Sequence, residues 1–570
     1  MTLFRQGYSP PVLALLALMI SFGLTGCEGD DGATGAQGPA GSDGAAGTDG
    51  VDGAAGADGE DGISCWDLNE NGIGDLPDED INDDGVVDVD DCSVAGSDAY
   101  KPPALHRGYF AENPYEGTES CMRCHGDVGD EIITTGHFNW EGVASNIEGF
   151  EGGIHGKKDI LNNFCIAIPT NEGRCTQCHI GYDYKDASYD FGDRNNVDCL
   201  VCHDQTGTYA KAPTTAGNPV ATIGDPPVPL DLNLVAQSVG EGSPTIDNCI
   251  DCHAKAGGGD NVKHGDLAMS LADTTREFDV HMGTDGGNFE CIDCHEVQRD
   301  QDGNLLSHGI GGMPYHSVEE GNMKQCDDCH GDRANIHAPY SVQTIVTSHA
   351  TLACQTCHIP TFARNQSTKT EWYWETAGQD IAPEDIPVIL GRNAYDKKKG
   401  NFVWENNVRP TLKYFNGKYR KFLINENDQY ETEPAVLAEP VGDYTDPEAM
   451  IYPFKKMVGN QPADANNQTI LVPHLFGTTG GPNPYWGKFD WNLALQDGAA
   501  VTGQPYTGEF VFADTVMYLS VNHEVAPKEE AYGFGGNSAC GDCHFGDQID
   551  WTELGWSGDP VDGGERPDIR

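Results

Sequence analysis

The sequence predicts a mainly α-helical chain with much irregular structure, an extended N-terminal stalk and a segment of mixed structure near the C-terminus. Three observations support this fold class. Only 38% of the 570 residues are hydrophobic and 72 are glycine, so something besides aliphatic side chains must fill much of the core. The pattern Cys-x-x-Cys-His recurs eight times, and seven copies crowd between Cys121 and His358, which favours short helices and long loops. A glycine falls at every third position from Gly29 to Gly62, which indicates an extended segment.

Residues 1–26 have the pattern of an export signal, with Arg5 ahead of an apolar run from Val12 to Leu24. Leu24 to Cys27 resembles a bacterial lipobox. We therefore expect an exported lipoprotein, cleaved before Cys27 and anchored in a membrane by lipid on that cysteine. Glu28 replaces the aspartate of inner-membrane retention, which favours the outer membrane, on its periplasmic face or at the cell surface. Ordinary cleavage that leaves a free thiol is the alternative.

Residues 27–62 form the predicted stalk. Only glycine fits the crowded axis of a collagen triple helix, so the unbroken Gly-X-Y period favours a collagen-like trimer. Pro39 is the only proline available to stiffen it, and a flexible linker is an equal alternative. Either structure would hold the rest of the chain away from its anchor.

Residues 63–92 form a compact acidic insert, followed by a linker over residues 93–103. Oxygen-bearing side chains recur there with the spacing of a calcium loop, and a glycine stands at the sharp turn of each copy. The candidate ligands are Asp67, Asn69, Asn71, Asp75 and Asp78 in the first loop, and Asp80, Asn82, Asp84, Asp88 and Asp91 in the second. Cys65 and Cys92 bracket both loops, and we expect a disulfide between them. A solvated acidic loop without calcium is the alternative.

The chain carries 90 acidic and 33 basic residues, a net charge of -57. Nucleic acid is therefore excluded as a partner. The segment from Cys27 to Cys92 contains no lysine or arginine, so a large share of the negative charge belongs to the stalk and insert.

The Cys-x-x-Cys-His copies have the spacing of covalent haem c attachment. Residues i, i+3 and i+4 share one face of a helical turn, so two thiols can form thioethers with a haem while the histidine reaches its iron. Zinc sites also use Cys-x-x-Cys pairs, but they give no reason for a histidine directly after all eight. We predict eight haems, held by Cys121, Cys124 and His125; Cys175, Cys178 and His179; Cys199, Cys202 and His203; Cys249, Cys252 and His253; Cys291, Cys294 and His295; Cys326, Cys329 and His330; Cys354, Cys357 and His358; and Cys540, Cys543 and His544.

The motif spacing divides the rest of the chain. Residues 104–360 hold seven motifs, residues 361–530 hold none, and residues 531–570 hold the eighth and a C-terminal tail. The middle segment is rich in tryptophan and tyrosine. We expect it to form a mixed scaffold that returns the last haem to the others.

Eleven histidines lie outside the motifs, including His106 and His474. A second axial histidine saturates the iron, whereas an open or weakly occupied position lets substrate bind. The candidate distal ligands are His137, His155, His264, His281, His308, His316, His337, His349 and His523. Cys165 is the one cysteine left over, and it is either a reactive thiol or a buried inert residue.

Four stretches resemble the octahaem tetrathionate reductase family of bacterial multihaem cytochromes. They are Asn162 to Pro213, GGGDNVKHGDL at Gly257 to Leu267, LACQTCHIPTFAR at Leu352 to Arg364, and VNHEVAPKEEA at Val521 to Ala531. The resemblance implies that a lysine is the distal ligand of one haem, where substrate reacts. We place this role on Lys263, over the haem of His179 and with Cys165 nearby; Lys157 and Lys158 are the fallback candidates, and a solvated cation is the alternative for Lys263.

The resemblance implies a reductase of small sulfur or nitrogen oxyanions such as tetrathionate, nitrite or hydroxylamine. Electrons would come from a redox protein or a quinol-linked donor, and local cations such as Arg174 would hold the small anionic substrate. Asp183 and Tyr184 replace the glycine and tryptophan expected there, so substrate preference stays open. The second hypothesis is a non-catalytic electron conduit at the cell surface.

Overall fold

A computed structural model describes residues 103–240, 242, 244–299, 305–312, 322–337, 343–477, 479–534, 536–546 and 549–565. The export signal, the stalk and the acidic insert lie outside these residues. The expectations for Cys27, for the Cys65–Cys92 disulfide and for the calcium ligands therefore stay predictions, as does that for His316. Within the described part of the chain, no helix is long and apolar enough to cross a membrane.

The helices are short. Most of those before residue 360 surround or adjoin a Cys-x-x-Cys-His motif. In chain order they are α1 (Pro103–Glu112), α2 (Thr118–Met122), α3 (Gly126–Ile132), α4 (Gly136–Asn139), α5 (Glu172–Cys175), α6 (Leu200–His203), α7 (Leu232–Ser238), α8 (Ile246–Ala254), α9 (Cys326–His330), α10 (Arg333–Ile336), α11 (Gln343–Ser348), α12 (Cys354–His358), α13 (Tyr485–Lys488) and α14 (Trp491–Thr502).

The strands before residue 360 form small hairpins and one three-stranded sheet. They are β1 (Glu141–Val143), β2 (Ile154–Gly156), β3 (Thr222–Ile223), β4 (Val228–Pro229), β5 (His295–Arg299), β6 (Leu305–Ile310) and β7 (Asn322–Met323). Those of the later segment are β8 (Thr368–Tyr373), β9 (Val388–Ile389), β10 (Arg392–Asn393), β11 (Tyr395–Asp396), β12 (Gly400–Glu405), β13 (Thr411–Phe415), β14 (Tyr419–Lys421), β15 (Ala435–Pro440), β16 (Met450–Asp464) and β17 (Phe510–Ser520).

The prediction of a mainly α-helical chain is not confirmed. Helical residues make up 25% of the structure and strand residues 22%, so the fold is mixed. The excess of strand comes from the segment after residue 360, where eight strands form one sheet in the order β11-β12-β8-β16-β17-β15-β14, with β13 paired to β16. β16 and β17 run antiparallel and stay in register from Phe454 opposite Ser520 to Asp464 opposite Phe510. This long pair is the centre of the scaffold.

The main hydrophobic core lies on this sheet. It joins tryptophans of the scaffold to Leu161 and Phe164, which precede the second motif, and to Val262, which follows the fourth. Trp372 stacks on Trp374 with ring centroids 5.1 Å apart, and the Trp374 indole donates a hydrogen bond to the Phe164 carbonyl at 2.9 Å. The sheet therefore fixes the main chain around Cys165 and around Lys263.

Substitution of Gly498 by alanine should lower the free energy of unfolding by about 1–3 kcal/mol. Gly498 lies on the inner face of α14, where a Cβ would overlap the Val472 carbonyl oxygen. Gly108 in α1 is a matched helical control, since nothing lies within 4 Å of a Cβ there. Gly108→Ala should raise stability by about 0.5–1 kcal/mol. Thermal unfolding of the two purified variants tests this, and equal shifts would contradict the packing argument.

Candidate haem sites

Each Cys-x-x-Cys-His motif lies on a helical turn. α2, α5, α6, α8, α9 and α12 carry or adjoin six of them, and 3-10 turns at Cys291–Asp293 and Gly536–Asp542 carry the others. Main-chain hydrogen bonds from His125 to Cys121 and from His544 to Cys540, of 2.9 and 2.8 Å, close two of these turns. This local structure sets both thiols and the histidine on one face, as thioether attachment requires.

Six motif histidines face a histidine from elsewhere in the chain. The centroids of the facing rings are 5.9 to 6.3 Å apart. Two imidazoles that bind one iron through Nε2, each at about 2 Å, hold their ring centroids roughly 6 Å apart. The spacing therefore fits an iron between the rings. The pairs are His125 with His106, His253 with His137, His295 with His523, His330 with His281, His358 with His337, and His544 with His349.

The Nδ1 atoms of several of these rings are held by other groups. Nδ1 of His295 lies 2.7 Å from the Gly311 carbonyl oxygen, and Nδ1 of His337 lies 2.7 Å from that of Arg333. Nδ1 of His544 lies 2.8 Å from an Asp559 carboxylate oxygen. An acceptor at Nδ1 fixes the tautomer and leaves Nε2 for a metal.

His203 lies near His308. Burial lowers the pKa of His203 to about 4, and His308 is the next largest cause. Nδ1 of His308 is in turn hydrogen-bonded to the Glu131 carboxylate. This arrangement resembles the six ring pairs in its chemistry.

His179 has a different environment. Within the described part of the chain, its ring contacts are aromatic and include no second histidine: Phe138, Trp140, Tyr184, Tyr189 and Phe191. Its Nε2 lies 2.5 Å from the Phe138 carbonyl oxygen, and Nδ1 is buried without a hydrogen-bond partner. Burial lowers the pKa of His179 to about 3, and the neighbouring Lys211 and Lys157 lower it further.

Lys263 is buried, with 8% of its surface exposed. Burial holds its pKa well below the ordinary value, Lys157 and Lys421 lower it further, and the Cys178 side chain acts in the opposite direction. The Lys455 ammonium on β16 donates hydrogen bonds to the carbonyls of Val262 and Lys263, at 2.6 and 3.0 Å. The main chain of Lys263 is therefore held from the sheet while its amine lies in the neighbourhood of the second motif.

Cys165 lies at the edge of the main core, partly buried. Its neighbour Phe164 and Lys263 approach opposite sides of Gly257, where a Cβ would lie 3.1 and 3.0 Å from them. This close approach brings the Cys165 and Lys263 segments together.

The other sequence candidates have partners of their own. Lys157 lies over the Trp140 ring at 4.4 Å, and Lys158 pairs with Glu141 at 2.8 Å. Arg174 is buried between the rings of Phe476 and Trp486, at 5.4 and 5.3 Å.

Among the described residues, His155, His264 and His474 form none of the six ring pairs and are not beside the Cys199 motif as His308 is. Nδ1 of His155 lies 2.6 Å from Asp159, and His264 is buried beside Lys263. Both ring nitrogens of His474 are engaged, by Asp497 at 3.4 Å and by the Phe476 carbonyl at 2.9 Å. His106, which the sequence-based ligand set omitted, instead stacks on His125.

Cysteines of different motifs contact one another. Four pairs of side chains lie next to each other: Cys121 and Cys199, Cys178 and Cys252, Cys249 and Cys291, and Cys326 and Cys354. Electrostatic proximity links Cys202 to Cys249, Cys294 to Cys329, and Cys543 to Cys357. Seven motifs thus follow one another in space, which we call the motif line: those starting at Cys121, Cys199, Cys249, Cys291, Cys326, Cys354 and Cys540.

The remaining motif, Cys175 to His179, lies beside this line and is called the side motif. It touches the line at the Cys249 motif, through Cys178 and Cys252, whose carbonyl lies 3.7 Å from the Cys178 sulfur. Cys124 at one end of the line and Cys540 at the other are exposed.

Family models match along the chain. The model described as bacterial cytochrome c matches residues 369–547, and that described as outer membrane cytochrome MtrC/MtrF-like, domains II/IV, matches residues 85–309. The collagen triple helix repeat model matches residues 21–65, which confirms the collagen-like repeat expected from the glycine period.

A solved structure and a curated protein are also similar. The chain is 39% identical to the octahaem cytochrome c of Shewanella oneidensis, with a TM-score of 0.69, and the match covers 81% of this chain and 99% of that one. An uncharacterized protein of Archaeoglobus fulgidus is 25% identical over 236 residues, which are 33% of this chain and 76% of that protein.

Proposed function

Because this chain belongs to the octahaem c-type cytochromes, we propose that it is an exported reductase of small sulfur or nitrogen oxyanions, with the side motif as its reaction site. Haem c supplies an iron that exchanges single electrons with its neighbours. The multihaem cytochrome character confirms the resemblance drawn from the sequence. The specific reaction and the count of eight are our proposal.

Seven motif histidines would share their iron with a second histidine. The six ring pairs at 5.9 to 6.3 Å support this for six motifs, and the proximity of His308 supports it for His203. Saturated sites of this kind relay electrons and bind no substrate.

One observation carries the catalytic proposal: among the described motif histidines, His179 is the one that has Lys211 and Lys157 rather than a second histidine nearby, and Lys263 lies near Cys178 of the same motif. We propose Lys263 as its distal ligand. A lysine ligates as the neutral amine, the form that burial favours here, and it should leave more readily than imidazole. Lys157, which lies near Lys263, supplies positive charge for an anion on this acidic protein.

A second function is favoured by the motif line. Its ends at Cys124 and Cys540 are exposed, as are Cys326 and Cys329 within it, and the MtrC/MtrF-like match includes the first five motifs of the chain. These two observations support an electron conduit between external partners. In that case the side motif would be saturated like the others.

The partners and location follow the same proposal. We infer an outer-membrane or cell-surface position, a redox protein or quinol-linked donor, and a membrane anchor through lipid on Cys27. The collagen-like repeat supports a trimeric stalk. Calcium in the acidic insert would stiffen the junction between stalk and cytochrome.

Lys263→Met should change the spectroscopic signature of one haem and lower the turnover of tetrathionate, nitrite or hydroxylamine about 10–100-fold. The measurements are electron paramagnetic resonance of the oxidised protein and consumption of a reduced dye with each substrate. Lys369→Met is a matched control, because Lys369 is equally buried but lies among Trp372, Phe402 and Trp404 of the scaffold.

The reductase proposal fails if the native protein shows bis-histidine signals alone and consumes no dye with any of the three substrates. The conduit would then stand. If turnover is present but Lys263→Met leaves every signal unchanged, the reductase stands and its distal ligand is another group.

A further inference from the structure

Carboxylate groups contact two candidate axial histidines, one on each side of the Cys249 motif. We call the Cys249 motif the junction, because the side motif joins the motif line there. The motif line passes from Cys199 through Cys249 to Cys291, and the side motif joins it at Cys249. The histidine beside the Cys199 motif is His308, and that facing the Cys291 motif is His523. Each of these two rings has a carboxylate at Nδ1.

Glu131 on α3 holds His308. One carboxylate oxygen accepts the Ser307 hydroxyl at 2.9 Å and the His308 main-chain N–H at 2.7 Å, and the other accepts the His308 ring. The ring and the main chain of His308 are thus fixed by a single side chain.

Asp266 holds His523 in the same way. It is 1% exposed, and its Oδ2 accepts the main-chain N–H groups of Asn522 and His523 at 2.7 and 2.9 Å. The same oxygen lies 3.2 Å from Nδ1 of His523. Asp266 belongs to the GDL sequence three residues after Lys263.

A carboxylate at Nδ1 makes an imidazole a stronger donor to its metal. The negative charge gives the ring partial imidazolate character, which stabilises Fe(III) over Fe(II) and lowers the reduction potential. A main-chain carbonyl has this effect to a smaller extent.

The surroundings of the Cys249 motif have the opposite charge. His253 faces His137, and the positively charged Lys157 lies near both rings. Positive charge beside an iron stabilises its reduced form. The Cys249 motif therefore has positive charge nearby, whereas the Cys199 and Cys291 motifs on either side of it have negative charge at their candidate axial histidines.

We propose that Glu131 and Asp266 are positioning residues that lower the reduction potentials of the haems at Cys199 and Cys291 below that of the haem at Cys249 between them. Electrons on the line would then collect beside the side motif. This inference rests on the axial pairs of the proposed function.

Redox titration of the full eight-haem protein, followed by visible and electron paramagnetic resonance spectroscopy, tests the inference. Glu131→Gln and Asp266→Asn should each shift one haem to a more positive potential and leave seven unchanged. Asp497→Asn is the control, because Asp497 faces Nδ1 of His474, a histidine that faces no motif. The Asp497→Asn control should leave all eight reduction potentials unchanged.

Titration curves that coincide with the native one for both variants would overturn the inference. So would equal shifts in the Asp497→Asn control. If Asp266→Asn does not acquire its haems, Glu131→Gln decides, because Glu131 is partly exposed on a surface helix. A different result would contradict the proposed axial pairs themselves: a native protein that lacks eight haems or lacks bis-histidine signals.

Discussion

Substitution of Asp198 by alanine is expected to lower the free energy of unfolding by about 3–5 kcal/mol. Asp198 directly precedes the third motif, and its side chain is 0% exposed. The Lys211 ammonium lies 2.6 Å from its Oδ2 and is itself 4% exposed. Loss of the carboxylate would leave that cation buried without its counter-charge, which is among the largest costs that one substitution can cause.

The Asp198→Ala substitution would also affect the side motif. Tyr182 and Tyr209 also donate to Asp198, at 2.9 and 2.6 Å, so two buried hydroxyls would lose their acceptor. Lys211 donates to the His179 carbonyl at 2.7 Å. We therefore expect the signal of the haem at Cys175 to change together with stability.

Guanidinium unfolding of the purified cytochrome measures this effect. Asp380→Ala is the control, because Asp380 forms an ion pair with Lys397 at 2.5 Å but is 87% exposed, and its loss should cost less than about 1 kcal/mol. The double variant Asp198→Asn, Lys211→Met removes both charges and should recover part of the loss. Equal destabilisation by Asp198→Ala and by the control would refute the argument.

The attachment residues of the cytochrome could be predicted because their chemistry is local. Two thiols and a histidine must share one helical turn, so the requirement is written in five consecutive residues. The histidines that face the motif histidines, which we propose as distal ligands, have no such signature. His106 lies shortly before the motif of His125, whereas His523, which faces His295, follows β17 of the scaffold. Only the packing of distant segments selects these histidines over His155 or His474.

The sequence did not predict the extent of the scaffold sheet, for a related reason. β16 contains two prolines and several polar residues and shows no alternation of apolar and polar positions. It is nevertheless the central strand, buried on both faces, where such alternation is lost. Its buried Lys455 is satisfied by the carbonyls of Val262 and Lys263, and its Asn460 by the Glu375 main chain. Partners so distant in sequence leave no local pattern.

Substitution of Glu172 by glutamine should stabilise the protein at pH 8 and leave its stability nearly unchanged at pH 4. Glu172 is 4% exposed in α5, and burial raises the pKa of its carboxyl from 4.5 to about 7. Hydrogen bonds from the main chain of Glu172 and Thr170 oppose this shift, and the charge of Asp186 adds to it.

The direction of this pH dependence of stability follows from proton binding. Between pH 4.5 and 7 the folded protein keeps a proton that the unfolded chain has lost, so the contribution of Glu172 to stability falls as pH rises. It is fully present below pH 4.5 and is lost once pH passes 7, a change of about 3 kcal/mol. Glutamine keeps the hydrogen-bonding carbonyl and removes the ionisation.

Unfolding midpoints at pH 4, 6 and 8 measure the difference between native protein and variant. Glu112→Gln is the matched control, because Glu112 is exposed at the end of α1 and should change stability by less than about 0.5 kcal/mol at each pH. A Glu172→Gln effect that stays constant from pH 4 to pH 8 would show that the carboxyl is ionised throughout that range. Burial would then be balanced by its main-chain donors, and the substitution would act through shape alone.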